Sequence, residues 1–335
     1  MTATLILSQA ATGENATLLD WLARISNLAY IVAAVLFLMA LAGLSKPETA
    51  KRGNTLGMSG MAVAIAVAIF QAVVHSTTDS EALNPLVTVI LIALAMSLGA
   101  AYGIKRAHSV EMTGLPQLIA LFNGLVGLSA VFIGYNSFVS ESADSMGAAA
   151  YNFHLGEVFL GIFIGAVTFT GSILAGLKLS GKVKGAPLLL PARNLLNVAI
   201  LVVSLVLMVV FIVAGEGTTA WIAVGIMTAL ALFMGWHLVA AIGGGDMPVV
   251  VSIMNSYSGW AAAFTGLMLQ NPLLIITGAL VGSSGAFLSY VMCQAMNRSF
   301  LNVLLGGFGT DGGAVAEGVD GTHTEIDTDE AVAML

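Results

Sequence analysis

The chain has 335 residues, 58% of them hydrophobic and 9% charged, with 18 acidic and 11 basic side chains and a mean hydropathy of +0.96. Soluble domains carry roughly 25% charged residues, so this composition excludes a water-soluble enzyme and indicates a membrane protein. The formal charge of -7 is no guide to partners: seven acidic residues (Asp311, Glu317, Asp320, Glu325, Asp327, Asp329 and Glu330) fall in the last 25 positions, the remaining charges balance, and no stretch reads as nucleic-acid binding.

Residues 1–22 have neither the basic start and cleavage pattern of a signal peptide nor the Arg-rich character of a transit peptide, and read as a short extracytoplasmic tail. Residues 23–305 predict an all-α transmembrane domain. Nine apolar segments are long enough to cross about 30 Å of hydrocarbon at about 1.5 Å per residue. They are placed at Ile25–Leu44, Gly57–His75, Leu86–Ile104, Leu115–Val139, Phe153–Leu177, Leu195–Ala214, Ala220–Ile242, Met247–Leu269 and Leu273–Met296. Residues 306–335 form an acidic, glycine-rich linker.

The basic residues test this count, because short cytoplasmic loops collect Lys and Arg. With nine spans and the N-terminus outside, ten of the 11 fall on the cytosolic side: Lys46, Lys51, Arg52, Lys105, Arg106, Lys178, Lys182, Lys184, Arg193 and Arg298. Only Arg24 falls outside. An even count could not keep this alternation and also place Arg298, with the C-terminus, in the cytosol.

The segments differ in what they present. The sixth, LLNVAILVVSLVLMVVFIV, is large and branched all round, as expected of a segment mostly in contact with lipid or filling space. The fourth carries a small and polar stripe of Ala120, Asn123, Gly127, Ala130 and Gly134, and the fifth one of His154, Glu157, Gly161, Gly165, Thr168 and Ser172. Ser252, Asn255, Ser256 and Gly259 on the eighth, and Gly278, Gly282, Gly285 and Ser289 on the ninth, complete a set of four stripes expected to face one another.

Each feature also has a plainer explanation. Small residues every fourth position ordinarily serve helix packing, and Ser or Thr in a membrane helix ordinarily bonds its own backbone one turn back. His154 and Glu157 sit near the outer interface, where ionisable groups are cheap, and His237 near the end of the seventh segment could be a satisfied packing residue. Asn123 and Asn255 are harder to dismiss, since an amide in hydrocarbon costs free energy unless it is paired. Together they indicate a hydrophilic path.

Other patterns are set aside on context. His154-x-x-Glu157 supplies two ligands, too few for a metal site. The single Cys293 excludes a disulfide framework, a CxxC pair and a zinc site. Gly307-Phe308-Gly309-Thr310-Asp311-Gly312 fits GxGxxG but follows a membrane segment instead of a strand, so it reads as linker. Asn15-Ala16-Thr17 and Asn297-Arg298-Ser299 match the glycosylation sequon by chance.

Several long motifs carry a family resemblance. GLSKPETAKRGN (Gly43–Asn54), EVFLGIFIGAVTFTGS (Glu157–Ser172), GGGDMPVVVSIMNSYSGW (Gly243–Trp260), GALVGSSGAFLSYVMCQAMNRSF (Gly278–Phe300) and the following GGFGTDG closely resemble the beta subunit of proton-translocating NAD(P) transhydrogenase. The likeness covers nearly all of the chain beyond the first twenty residues.

It implies hydride transfer between NAD(H) and NADP(H), coupled to proton movement through a membrane domain shared by alpha and beta subunits, in a bacterial inner membrane. NAD(H) would bind the partner alpha subunit and NADP(H) a Rossmann-like domain following the beta membrane helices. That domain is absent here, so this chain is expected to bind no cofactor and to perform no hydride transfer alone. A dimer of alpha–beta units is implied.

By the same resemblance the proton path involves Asn123, Ser172 and Asn255, with Asp246 and Arg298 coupling its cytosolic mouth to the nucleotide domain. Asn123 departs from the family, several of whose members have a histidine there. An amide does not titrate near neutral pH, which leaves the alpha subunit, His154 or His237 to supply the protonatable group, and Glu157 stays on the path beside His154.

Two other classes compete: a carrier or channel unrelated to redox chemistry, and a plain membrane anchor. The first lacks an inverted repeat, an interrupted helix pair and a midplane charge cluster. The second has no need of Asn123 and Asn255.

Overall fold

The structure, a computed structural model, describes residues 14–78, 84–142, 147–188, 193–297 and 299–300. Arg298 and the glycines Gly306 to Gly309 lie outside the described residues. The described residues form long helices: α1 (Glu14–Leu44), α2 (Pro47–Thr78), α3 (Pro85–Ser109), α4 (Leu115–Ser140), α5 (Ala148–Leu179), α6 (Arg193–Ala214), α7 (Thr218–Ala240), α8 (Met247–Met268) and α9 (Pro272–Ala295). Short 3-10 turns at Met112–Gly114 and Gly244–Asp246 lead into α4 and α8. No strand occurs among the described residues.

Local chemistry sets the ends. Proline stands in the first turn of α3, α4, α8 and α9, where its missing N–H is no loss and its φ is already helical. The α8–α9 junction is compact for a specific reason. Gln270 adopts φ 50°, its N–H reaches the Leu267 carbonyl at 3.0 Å and the Asn271 N–H reaches Gly266 at 2.7 Å, which closes α8 with a Schellman pair. Asn271 then caps α9, its side-chain oxygen accepting from Leu273 and Leu274 N–H.

Eight of these helices are long and apolar enough to cross a membrane, which makes the chain an integral membrane protein. The exception is α8, diluted by Ser252, Asn255, Ser256 and Ser258. Its position explains the tolerance: α8 packs against α4, α5 and α9 and has most of its residues buried, so its polar groups meet protein instead of lipid. The nine expected segments thus appear as helices, eight of them apolar enough to span by composition.

Around α8, α5 packs on α4 and α7, α6 packs on α7, and α1 and α2 form a hairpin that joins the bundle where α1 meets α9. Helix α3 packs on α2 and has no buried residue. The sixth segment is mostly exposed, as expected, with one face that fills space. Asn197, Ile200, Ser204 and Phe211 form a buried face of α6 turned to the bundle, while Val198, Val202, Leu205 and Val209 are exposed. A seven-residue spacing of two small polar residues defines that face beneath a uniformly branched surface.

The expected meeting of four stripes is resolved into two close pairs. Between α4 and α5, a Cβ at Gly127 would press on the Gly165 carbonyl, and one at Gly134 on the Ile162 side chain. Between α8 and α9, a Cβ at Gly259 would collide with the Gly282 backbone, and one at Gly278 with Ala263. That approach lets Ser256 Oγ donate to the Gly282 carbonyl at 2.6 Å and Ser252 Oγ to the Gly285 carbonyl at 3.3 Å. Most of the stripe therefore serves packing, and the hydroxyls of Ser252, Ser256 and Ser289 are used in joining the two helices.

Gly259→Val should accordingly destabilise the bundle by about 1–3 kcal/mol or more, the usual cost of overpacking. Gly99→Val on α3, where an added Cβ meets nothing within 4 Å, should leave the melting temperature in detergent unchanged. Equal melting of the two variants would contradict this packing.

Candidate functional site: a buried polar layer

Asn123, Ser172 and Asn255 lie at matching depths. Asn123 is eight residues after the start of α4, Asn255 eight after the start of α8 and Ser172 seven before the end of α5. These three helix ends share one face of the bundle, so the residues form a layer about 11–12 Å below it at 1.5 Å per residue. The side chain of Ser172 faces α4, where a Cβ built on Gly124 would stand 3.4 Å from Ser172 Cβ.

Asn123 is 7% exposed and meets α8 through Ser258, whose Oγ is 3.3 Å from Asn123 Oδ1. The same Oγ is 2.8 Å from the Asn255 carbonyl. One hydroxyl hydrogen cannot serve two acceptors, and the shorter contact takes it. Turning the Asn123 amide over lets its nitrogen donate to Ser258 and satisfies both contacts. In either orientation one polar atom of Asn123 has no protein partner.

Ser172 is fully buried and its Oγ likewise has no protein partner. Its neighbours behave differently: Thr168 Oγ1 donates to the Ile164 carbonyl at 2.6 Å and Thr170 Oγ1 to the Leu232 carbonyl at 2.8 Å. The plain self-bonded state expected of a helical hydroxyl thus holds for Thr168 and not for Ser172. Asn255 is half-buried. Ser258, which joins it to Asn123, was not singled out in the sequence, although it stands one turn past Asn255 and so continues that residue's face.

The two histidines stand at different depths. His154 is buried at the far end of α5, about 27 Å along the helix from Ser172 at 1.5 Å per residue. Its Nε2 is 3.2 Å from Ser137 Oγ on α4, and its Nδ1 is 3.8 Å from Glu157 Oε2. His237 is 1% exposed on α7 and stacks on Phe233 with rings 5.9 Å apart and 3° from parallel. It shares the level of the polar layer: a Cβ at Gly171, beside Ser172, would lie 3.3 Å from both the Gly235 carbonyl and Val239.

The near face carries an arrangement absent from the sequence reasoning, which placed Lys178 in a cytosolic loop. Lys178 belongs to the last turn of α5, is 8% exposed, and donates to the carbonyls of Val239 (3.1 Å), Ala240 (2.8 Å) and Ile242 (2.8 Å). The first two belong to the last turn of α7, which leaves them without i+4 helical partners, and Ile242 to the turn that follows; the helix dipole also favours a cation there. Asp246 follows, half-buried, at the start of α8. Among the described residues no group of three or more His, Cys, Asp or Glu side chains converges as a metal site.

Such a molecule is a polytopic helical membrane protein with a buried, uncharged polar layer between closely packed helices. Residues 26–335 match the family described as NAD(P) transhydrogenase beta subunit. The chain is 48% identical over 293 residues to the NAD(P) transhydrogenase subunit beta of Rhodospirillum rubrum, and equally to that of its strain ATCC 11170, covering 87% of this chain and 60% of each relative. The chain belongs to the NAD(P) transhydrogenase beta subunit family and spans about 60% of the length of these curated relatives.

Replacing Asn123 and Ser258 with Ala, singly and together, tests the link between α4 and α8. A double-mutant cycle on unfolding in mixed micelles should return a coupling of about 0.5–1.5 kcal/mol, the range for hydrogen bonds between membrane helices. A coupling of zero would remove Ser258 from the layer.

Proposed function

We propose that this chain is the membrane, proton-translocating part of an NAD(P) transhydrogenase, in which hydride transfer between NAD(H) and NADP(H) is coupled to proton movement across a bacterial inner membrane. All nine long helices cross the bilayer, with the N-terminus outside and the C-terminus in the cytosol. In this reading α8 crosses in spite of its composition, sheltered by α4, α5 and α9. An alpha subunit carries NAD(H), a domain following the beta membrane helices carries NADP(H), and two alpha–beta units form the assembly. The redox chemistry belongs to those nucleotide domains.

The observation that carries the proposal is that two buried polar atoms without protein partners, Ser172 Oγ and one atom of the Asn123 amide, fall in one layer with Asn255. Tyr151 Oη at the far end of α5 and Ser204 Oγ on α6 also lack a partner but stand singly. A packing interface leaves no such groups unsatisfied without cost. The two atoms in the layer are suited to hold a water that carries a proton across the narrowest part of the bundle. Since Asn123 cannot titrate, it orients such a water, and a titrating group must be His237 at the same level, His154 at the far end, or a side chain of the alpha subunit.

His154 and Glu157, joined to Ser137, form the outer approach. Asp246 and Arg298 act at the cytosolic mouth, where NADP(H) occupancy shifts the layer between two exposures. A solute carrier or a bare anchor gains nothing from an uncharged layer with unpaired donors and acceptors.

In the complete alpha–beta enzyme reconstituted in vesicles, Asn255→Leu and Ser172→Val should lower nucleotide-driven pumping about tenfold, corresponding to roughly 1.4 kcal/mol lost at the proton-transfer step. Hydride exchange that does not require pumping should persist. Full pumping in both variants would sink the path. Asp246→Asn and Arg298→Gln should change NADP(H) release, and full pumping after apolar replacement of every candidate histidine in both subunits would refute a histidine carrier.

A further inference from the structure

We propose that Lys178 is a positioning residue that clamps the α7–α8 turn to α5, so that movement of the turn bearing Asp246 is passed directly to Ser172. This rests on the proposed proton path for its consequence, although not for its geometry. The turn contains Gly243, Gly244 and Gly245, a run with the least intrinsic stiffness the backbone allows. Something outside the run must hold it in place.

Three contacts do so. The Lys178 ammonium takes the Val239, Ala240 and Ile242 carbonyls, Leu188 N–H donates to the Ala240 carbonyl at 2.9 Å, and Gly244 N–H donates to the Gly185 carbonyl at 2.9 Å. All of the holding groups belong to α5 or to the segment that follows it. At the root of this segment Gln117 Nε2 on α4 donates to the Leu179 carbonyl at 3.1 Å, which ties the same point to the helix bearing Asn123.

The ammonium has three hydrogens and three carbonyl partners, so it is saturated. Losing any one partner would leave a buried cation short of a hydrogen bond, at a cost that favours keeping all three or releasing all three. The clamp therefore joins the end of α7 to α5 as one body. Ser172 lies six residues back on α5, about 9 Å away along a rigid helix at 1.5 Å per residue. A push on the Asp246 turn reaches the layer through α5 as well as through α8 itself.

Site-directed labelling tests the clamp. Gly245 is exposed, an added Cβ there meets nothing within 4 Å, and the chain has one cysteine, Cys293, which is 1% exposed. Gly245→Cys is made with and without Lys178→Met in the full chain with its alpha partner, in lipid nanodiscs, and the rate of maleimide labelling is measured. Lys178→Met should raise the rate at position 245 about tenfold or more, as the loss of even one net charge-assisted hydrogen bond allows. Cys293 in the Lys178→Met variant without the added cysteine should stay unlabelled.

An unchanged rate at position 245 would overturn the clamp. Equal exposure of Cys293 would do so as well, because it would show general loosening instead of release of one turn. In vesicles, the number of protons moved per hydride transferred should fall in Lys178→Met, whereas a purely stabilising role would lower both in proportion and overturn the positioning role. Should the unmutated assembly transfer no hydride while the labelling result holds, the transhydrogenase proposal fails and the clamp stands.

Discussion

Within a bilayer each polar group must find its partner inside the protein, and the close approach of helix backbones through glycine makes that possible here. Ser256 reaches the Gly282 carbonyl, and Ser252 the Gly285 carbonyl, because Gly259, Gly278, Gly282 and Gly285 leave no Cβ between α8 and α9. Gly127 and Gly165 do the same for α4 and α5. The bundle is therefore held by backbone proximity, and its hydroxyls are used at these seams or on their own helix backbone, as at Thr168 and Thr265, with Ser172 among the exceptions.

Those exceptions give the polar layer its meaning. A serine on α5 two turns past the seam residue Gly165 would normally turn to its own backbone, as Thr168 does, yet Ser172 does not. It is fixed against Gly124, next to an asparagine whose single contact is with Ser258. The layer is sparse, uncharged and under-satisfied, a combination that costs stability in hydrocarbon.

Much of this was legible in the chain. The α8 and α9 segments were placed almost to the residue, because Pro248 and Pro272 open them and the apolar run ends at polar Gln270 and Asn297. Asn123, Ser172 and Asn255 stood out as polar residues on small-residue faces. The pairing of those faces was not legible, since spacing along one helix is silent about which neighbour it meets. Lys178 was misplaced for a related reason: a lysine at a segment end satisfies the positive-inside rule whether it extends into water or turns inward to cap a helix. On α6, Asn197 and Ser204 were hidden among valines that face the other way.

The chemistry of the layer also constrains how the proposed proton movement is controlled. Amides and hydroxyls relay a proton through water but do not store one at neutral pH. Storage must then lie outside the trio, and the near histidine, His237, sits on α7, the helix whose end Lys178 holds. Control by a charge on the trio itself is unavailable to such a site. Control by displacement is available, because α5, α7 and the start of α8 meet where the glycine turn joins them, and a shift of one helix past another changes which groups a water can reach. A neutral layer with its charges kept at the ends would thus be switched by movement at the Asp246 face, and Lys178 stands where that movement would enter.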